Sequence, residues 1–172
     1  MKYQPSPYLA SRAGELLGDR LHALYGTERW DLIVPVPSSP EMLKKRLFHP
    51  CLEIGRGLQR RIKESTIEHA LKHRGKRTPQ ARRSHEERLQ GLRTVFTVNN
   101  ARRIGEKRIL LVEDVITTGA TVAAASHALR EAGARSIDVV ALAEARVWRR
   151  FRSLIFALFQ PPSGRIFRCT AP

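Results

Sequence analysis

The sequence predicts a doubly wound α/β domain with a mainly parallel central sheet, and three stretches carry that prediction. Residues 108–112 (RILLV) form a run of branched apolar side chains suited to a parallel strand covered on both faces. A helical pattern follows from about residue 120 to 132, with Gly133 placed to end it. Residues 137–142 (IDVVAL) form a second buried strand, so 109–142 is one βαβ unit, parallel and right-handed by geometry. A length of 172 residues suits a single domain, and 42% hydrophobic residues suffice for a core. Wholesale disorder and a disulfide-stapled mini-protein are thereby excluded.

The remaining elements follow in chain order. In residues 8–25, Leu9, Ala13, Leu16, Leu17, Leu21 and Leu24 recur at helical spacing, predicting an amphipathic helix with these as its apolar stripe. Residues 32–36 form a short β-branched run that predicts a buried strand, and Pro35 and Pro37 should end or kink it early. Residues 41–63 predict a helix interrupted near His49-Pro50, its second part carrying Leu52, Ile54, Leu58 and Ile62. Residues 71–92 are basic and poor in apolar side chains, with Gly75 and Pro79 as breakers, which predicts an exposed excursion. Ser84 and Glu87 sit as a capping box for one short helix over 84–90. A strand at 95–98 and a turn marked by Asn99, Asn100 and Gly105 complete the path to residue 108.

Thirty-one Lys+Arg against 16 Asp+Glu give a net charge of +15, and it is unevenly placed. Residues 44–108 hold 19 basic and 6 acidic side chains, and residues 146–172 hold 6 basic and none acidic. The rest of the chain is mildly acidic. Such a field attracts polyanions, whether nucleic acid, an anionic membrane surface or a phosphate-rich small molecule; a face tuned for solubility is the plainer alternative. Cys51 and Cys169 are too few for a four-cysteine zinc site and fit free thiols in a reducing cytoplasm. No apolar run approaches the ~20 residues that cross a bilayer, and the N-terminus lacks a signal peptide's apolar stretch. His49, His69, His73 and His85 show no metal-ligand spacing. In the tail, Trp148, Phe151, Ile155, Leu158 and Phe159 line one helical stripe opposite arginines. That amphipathic helix would pack on the domain or on a dimer partner, with a nucleic-acid or membrane contact as the other reading.

The chemistry concentrates in residues 109–121, ILLVEDVITTGAT. The strand delivers Glu113 and Asp114 to the carboxyl edge of the sheet, where ligands of open α/β sheets bind. Thr117, Thr118, Gly119, Ala120 and Thr121 then supply three hydroxyls, a glycine and free amides at a helix N-terminus, which together hold a phosphate. Carboxylates beside a phosphate cradle must face something else, and sugar hydroxyls or a divalent cation satisfy them. The pattern describes a site for a ribose 5-phosphate group. Receiver domains also open with ILLVED, but they need further βα units for which too few residues follow Asp114, and they have no place for TTGAT. A structural strand with a solvated acid pair would leave the hydroxyl-rich turn unexplained.

This stretch resembles the motif of type I phosphoribosyltransferases that binds 5-phosphoribosyl 1-pyrophosphate (PRPP). The resemblance implies that Glu113 and Asp114 grip the ribose hydroxyls, that Val115 and Thr117 to Thr121 wrap the 5′-phosphate, and that Mg2+ joins Asp114 mainly through the ligand. DLIVPVP at 31–37, KKRLF at 44–48, TPQA at 78–81, Glu87-Arg88 and Val95-Phe96 precede the motif in the order seen in ComF/GntX-family proteins. The resemblance covers residues 2–146 and implies a phosphoribosyltransferase-like domain over 1–146, followed by a basic aromatic extension over 147–172. It further implies a pyrophosphate loop holding Ser38, Ser39, Lys44 and Arg46, and a hood over 72–93 with Lys72, Arg74 and Arg88. The family's N-terminal zinc finger has no counterpart in these residues, so no zinc is expected. Its RGFN segment reads Arg46-Leu47-Phe48-His49, its asparagine after Glu-Arg reads Gly91, and its glycine before Val95-Phe96 reads Thr94. The phosphoribosyl half of the site is intact and the acceptor half differs. Two functions are therefore expected of such a chain. One is magnesium-dependent phosphoribosyl transfer to a nitrogen acceptor, in a cytoplasmic homodimer. The other is a competence, DNA-uptake or repair role on the same fold, with competence or recombination proteins as partners. There the basic surface grips single-stranded DNA and catalysis is lost.

Overall fold

A computed structural model describes residues 6–26, 29–74, 95–144 and 167–169. Its main sheet has five strands in the order β2-β1-β5-β6-β7. These are β1 (Leu32–Pro35), β2 (Thr66–Ile67), β5 (Arg108–Ile116), β6 (Ser136–Glu144) and β7 (Phe167–Cys169). The β2–β1, β1–β5 and β5–β6 ladders are parallel, and β7 adds an antiparallel edge on β6. Two crossover helices are α3 (Pro50–Arg61), joining β1 to β2, and α5 (Ala120–Glu131), joining β5 to β6. The first steps one way along the sheet and the second steps the other way, so right-handed connections place the helices on opposite faces. Ile33, Val34, Ile109, Leu110, Leu111, Val112 and Val139 are accordingly buried whichever face they point to. The doubly wound class read from the sequence is the one observed.

Both β-strands of the βαβ unit run longer than the sequence pattern indicates. The β5 strand continues past Val112 to Ile116 and carries the acid pair within its ladder rather than beyond it. Glu113 stands opposite Ala141, and Val115 opposite Ala143. The β1 strand ends at Pro35, as its prolines predict. The Val36 N–H still donates to the Val112 carbonyl at 2.9 Å, so Pro35's missing donor faces the β2 side, where the ladder has already ended at Ile67.

The interrupted helix is also as read: α2 (Pro40–Arg46) and α3 are separated by Leu47–His49, with a proline opening each. The excursion differs at its base. Lys72 and Arg74 do not begin an irregular segment; β3 (Leu71–His73) pairs antiparallel with β4 (Phe96–Val98), and the Arg74 N–H donates to the Val95 carbonyl. Leu71 and Phe96 are buried, so two apolar anchors in a polar stretch suffice to build a strand there. The short helix expected over 84–90, together with Arg88, lies outside the described residues, as does the amphipathic helix expected in the tail. A short helix, α4 (Ala101–Ile104), replaces the turn expected at Asn99-Asn100.

The N-terminal helix α1 (Pro7–Tyr25) corrects the sequence reading of its face. Leu9, Leu16 and Leu24 are exposed, Leu16 by 67%, while Ser11, Gly14, Glu15, Gly18 and Leu21 are buried. Small residues win because they let α1 touch the α3 backbone. A β-carbon on Gly14 would lie 2.1 Å from the Ile54 carbonyl oxygen, and one on Gly57 would lie 2.0 Å from that of Ser11. Glu15 sits in this crossing. Burial pushes its carboxyl up, but the hydrogen bond from Arg60 and the charges of Arg12, Arg60 and Arg61 outweigh that and hold it low. At the sheet end opposite the acid pair, Asp31 receives the Arg108 main-chain N–H at 2.7 Å and its guanidinium at 2.8 Å and 3.2 Å. These hydrogen bonds bring its carboxyl down to about 2 and fix the start of β1 against the start of β5.

The α1–α3 crossing generates a contrast between two glycines of one helix. Gly57→Ala should lower unfolding free energy by about 3 kcal/mol, since backbone must move to admit the methyl. Gly55→Ala, whose β-carbon would meet Ile33 and Pro35 at 3.5 Å and 3.7 Å, should be neutral or stabilising by about 0.5 kcal/mol. Urea unfolding of the two variants checks this; equal effects would contradict the crossing.

Candidate functional site

The acid pair lies where the sheet parts. Sequence order runs outward from β1 in one direction and from β5 in the other, so the carboxyl ends of these two strands form the switch point at which open α/β sheets bind ligands. Because β1 stops opposite Val112, Glu113 and Asp114 have a strand neighbour only on the β6 side. Helices α2 and α3 fill in from the other side.

Glu113 is only 8% exposed. Its Oε1 accepts the Cys51 thiol at 3.4 Å and the Asp114 N–H at 3.1 Å. Burial, followed by the neighbouring Asp114 charge, raises its carboxyl to about 7, against the lowering effect of these two hydrogen bonds. Cys51 is buried and free; desolvation and the Glu113 charge push its thiol up, so it is a protonated donor. Asp114 is more open. Its Oδ1 accepts the Val115 N–H at 2.8 Å and its Oδ2 accepts Arg46 Nη1 at 2.6 Å.

Beyond the strand, Thr117 and Thr118 are exposed, and Gly119 adopts φ 73° and ψ −2°, a left-handed conformation that favours glycine. This residue caps α5, and its carbonyl accepts the Ala123 N–H at 2.8 Å, while Thr118 Oγ1 accepts the Ala120 N–H at 3.4 Å. Thr121 is exposed in the first turn. The turn predicted to hold a phosphate is therefore an accessible helix N-terminus, three residues after the acid pair.

The residues read as a pyrophosphate loop divide. Ser38 and Ser39 are half-buried, and Ser39 Oγ accepts the Met42 N–H at 3.3 Å as the cap of α2. Lys44 is exposed. Arg46 is the member that reaches the acid pair. Leu47, in the position next to it, is left-handed at φ 59° and 90% exposed.

Cys51 Sγ and one oxygen each of Glu113 and Asp114 lie within 4.8 Å of one another. The trio suits Mg2+ poorly as a closed cage, since a thiol is soft and Glu113 is buried, and magnesium prefers oxygen and keeps several waters. Asp114, the open member, fits a magnesium ion held chiefly by a ligand's own phosphate oxygens. The free thiol was legible, but its hydrogen bond to Glu113 was not. Nothing in the spacing of α3 says that its first turn will lie beneath β5.

Residues 56–153, more than half of the chain, match the phosphoribosyl transferase domain. The chain belongs to that family. No curated protein matches it in sequence. Among solved structures it is similar to an allosteric regulatory enzyme of purine biosynthesis (TM-score 0.52, 23% identity) over 77% of this chain and 26% of that one. The glutamine PRPP amidotransferase of B. subtilis gives the same TM-score and coverage at 22% identity. A purine phosphoribosyltransferase from Pyrococcus horikoshii gives 0.50 at 16% identity, over 84% of this chain and 78% of that one. The chain spans about a quarter of the length of the first two, and the likeness to all three is one of fold, that of a type I phosphoribosyltransferase.

The burial of Glu113 has a measurable sign. Unfolded, its carboxyl ionises near 4.5; folded, near 7. Between these values the native chain holds a proton that the unfolded chain has lost, so stability falls as pH rises through this window and is level above it. Glu113→Gln should therefore raise unfolding free energy by roughly 1–3 kcal/mol at about pH 8.5 and leave it nearly unchanged at about pH 4. Thermal melts at the two pH values check this, and an equal difference at both would contradict it.

Proposed function

We propose that the protein binds PRPP with magnesium and transfers its phosphoribosyl group to a nitrogen acceptor. The observation that carries this reading is the acid pair at the open end of β5, followed within one turn by a left-handed glycine and the N-terminus of α5. A 5′-phosphate on the amides and hydroxyls of 117–121 would direct its ribose toward Asp114 and Glu113. Lys44 and Arg46 would then be the cations that meet the C1 pyrophosphate. Transfer makes the anomeric carbon cationic and the departing pyrophosphate more anionic. The buried Glu113 and its neighbour stabilise the first charge, and Arg46 and Lys44 the second. Magnesium carried by pyrophosphate would neutralise leaving-group charge. Lys72, in β3, and Arg74, just after it, are the described members of the hood expected over 72–93.

Within the family we place the chain with ComF-type members, on the ordered segments DLIVPVP, TPQA and Val95-Phe96 ahead of the acid pair. That placement, with the net charge of +15, favours a second reading in which the basic surface binds single-stranded DNA.

Titration calorimetry with Mg–PRPP should show binding by the wild type and a loss of about tenfold or more in Asp114→Ala, the equivalent of about 1.4 kcal/mol. No heat from the wild type would end the transferase reading; equal heat from the variant would remove Asp114 from the diol. Oligonucleotide affinity should fall steeply with salt and fall again on charge reversal at Arg82 and Arg83. Binding that is absent or independent of salt would end the DNA reading.

A further inference from the structure

The contact between Arg46 and Asp114 joins two groups that the proposed chemistry assigns to opposite ends of the ligand. We infer that Arg46 is a specificity-determining residue: its guanidinium occupies the diol carboxylate until a ligand carrying an anion at C1 draws it away. The inference rests on the PRPP reading above and deepens it.

The geometry makes the two occupancies compete. Asp114 Oδ1 accepts the main-chain N–H of Val115 within the β5 ladder, and a sugar hydroxyl at Oδ2 would compete with Arg46 for that oxygen. That oxygen already accepts Arg46 Nη1 at 2.6 Å, with both side chains partly shielded, at 37% and 24% exposure. Among the described residues, Asp114 is the only ion-pair partner of Arg46. A sugar phosphate with no charged group at C1 would break this pair and leave the guanidinium partly desolvated with nothing to replace the carboxylate. A ligand with pyrophosphate at C1 supplies the replacement in the same step. The Arg46 side chain is 37% exposed at the end of α2, beside an exposed Leu47, which leaves it room to turn. The pair thus selects against ribose 5-phosphate, and against nucleoside 5′-phosphates of the kind the reaction would make, without a steric wall.

The test compares Mg–PRPP with ribose 5-phosphate by calorimetry on wild type, Arg46→Ala and Arg46→Gln, at constant magnesium. Arg46→Gln retains most of the side chain's bulk, and thermal melts establish that both variants are folded. Both should bind ribose 5-phosphate about threefold or more tighter than wild type and Mg–PRPP about tenfold or more weaker, collapsing the preference between them. Ribose 5-phosphate binding that is unchanged or weaker in both variants overturns the inference, even while wild type binds Mg–PRPP. Failure of wild type to bind Mg–PRPP would instead remove the reading beneath it.

Discussion

The difference in length between two paired strands organises the site. The β1 strand ends at Pro35 while its neighbour β5 runs four residues further, to Ile116. Along those residues β5 is paired with β6 alone, and its other edge is open to whatever α2 and α3 present. Cys51 from the first turn of α3 and Arg46 from the end of α2 fill that edge, and both do so by hydrogen bonding to the acid pair. A longer β1 would cover the carboxylates with a ladder. The prolines at 35 and 37 are therefore as much part of the site as the acids they expose.

The helix layer holds this arrangement by close approach rather than by bulk. Glycines at 14, 18 and 57 bring the α1 and α3 backbones into contact, and the arginines at 60 and 61 of α3 close on the buried Glu15 of α1. Since α3 also delivers Cys51 to Glu113, the crossing and the site share one rigid element. The two acids then differ in a useful way. Glu113 is shut in by a thiol and its carboxyl is raised to about 7 by burial, while Asp114 is more open and paired with the Arg46 guanidinium.

Much of this was legible in the sequence, and the failures have physical causes. The βαβ unit was plain because RILLV and IDVVAL carry period-free apolar runs, and TTGAT names its own turn. The face of α1 was misread because leucine spacing reports where apolar area is, not where a backbone can come closest. Gly14, Gly18 and Gly57 had to be seen as a matched set on two helices. Strands β2, β3 and β7 were missed because two or three residues leave no period to detect; Thr66–Ile67 forms only through its partner β1. Arg46 was legible as a cation near the site, but its attachment to Asp114 depends on where α2 stops, and Leu47 in a left-handed conformation gives no sequence signal for that stop.

The antiparallel pair β3–β4 has a consequence for how this protein can vary. Arg74 and Val95 are hydrogen-bonded to each other, so the β3–β4 ladder is closed at the two residues that flank the 75–94 interval. The free energy of joining the ends grows only with the logarithm of the number of residues spanned, so this interval can lengthen, shorten or be exchanged while the sheet stays unaltered. New residues can be inserted there without refolding the sheet that carries Glu113 and Asp114.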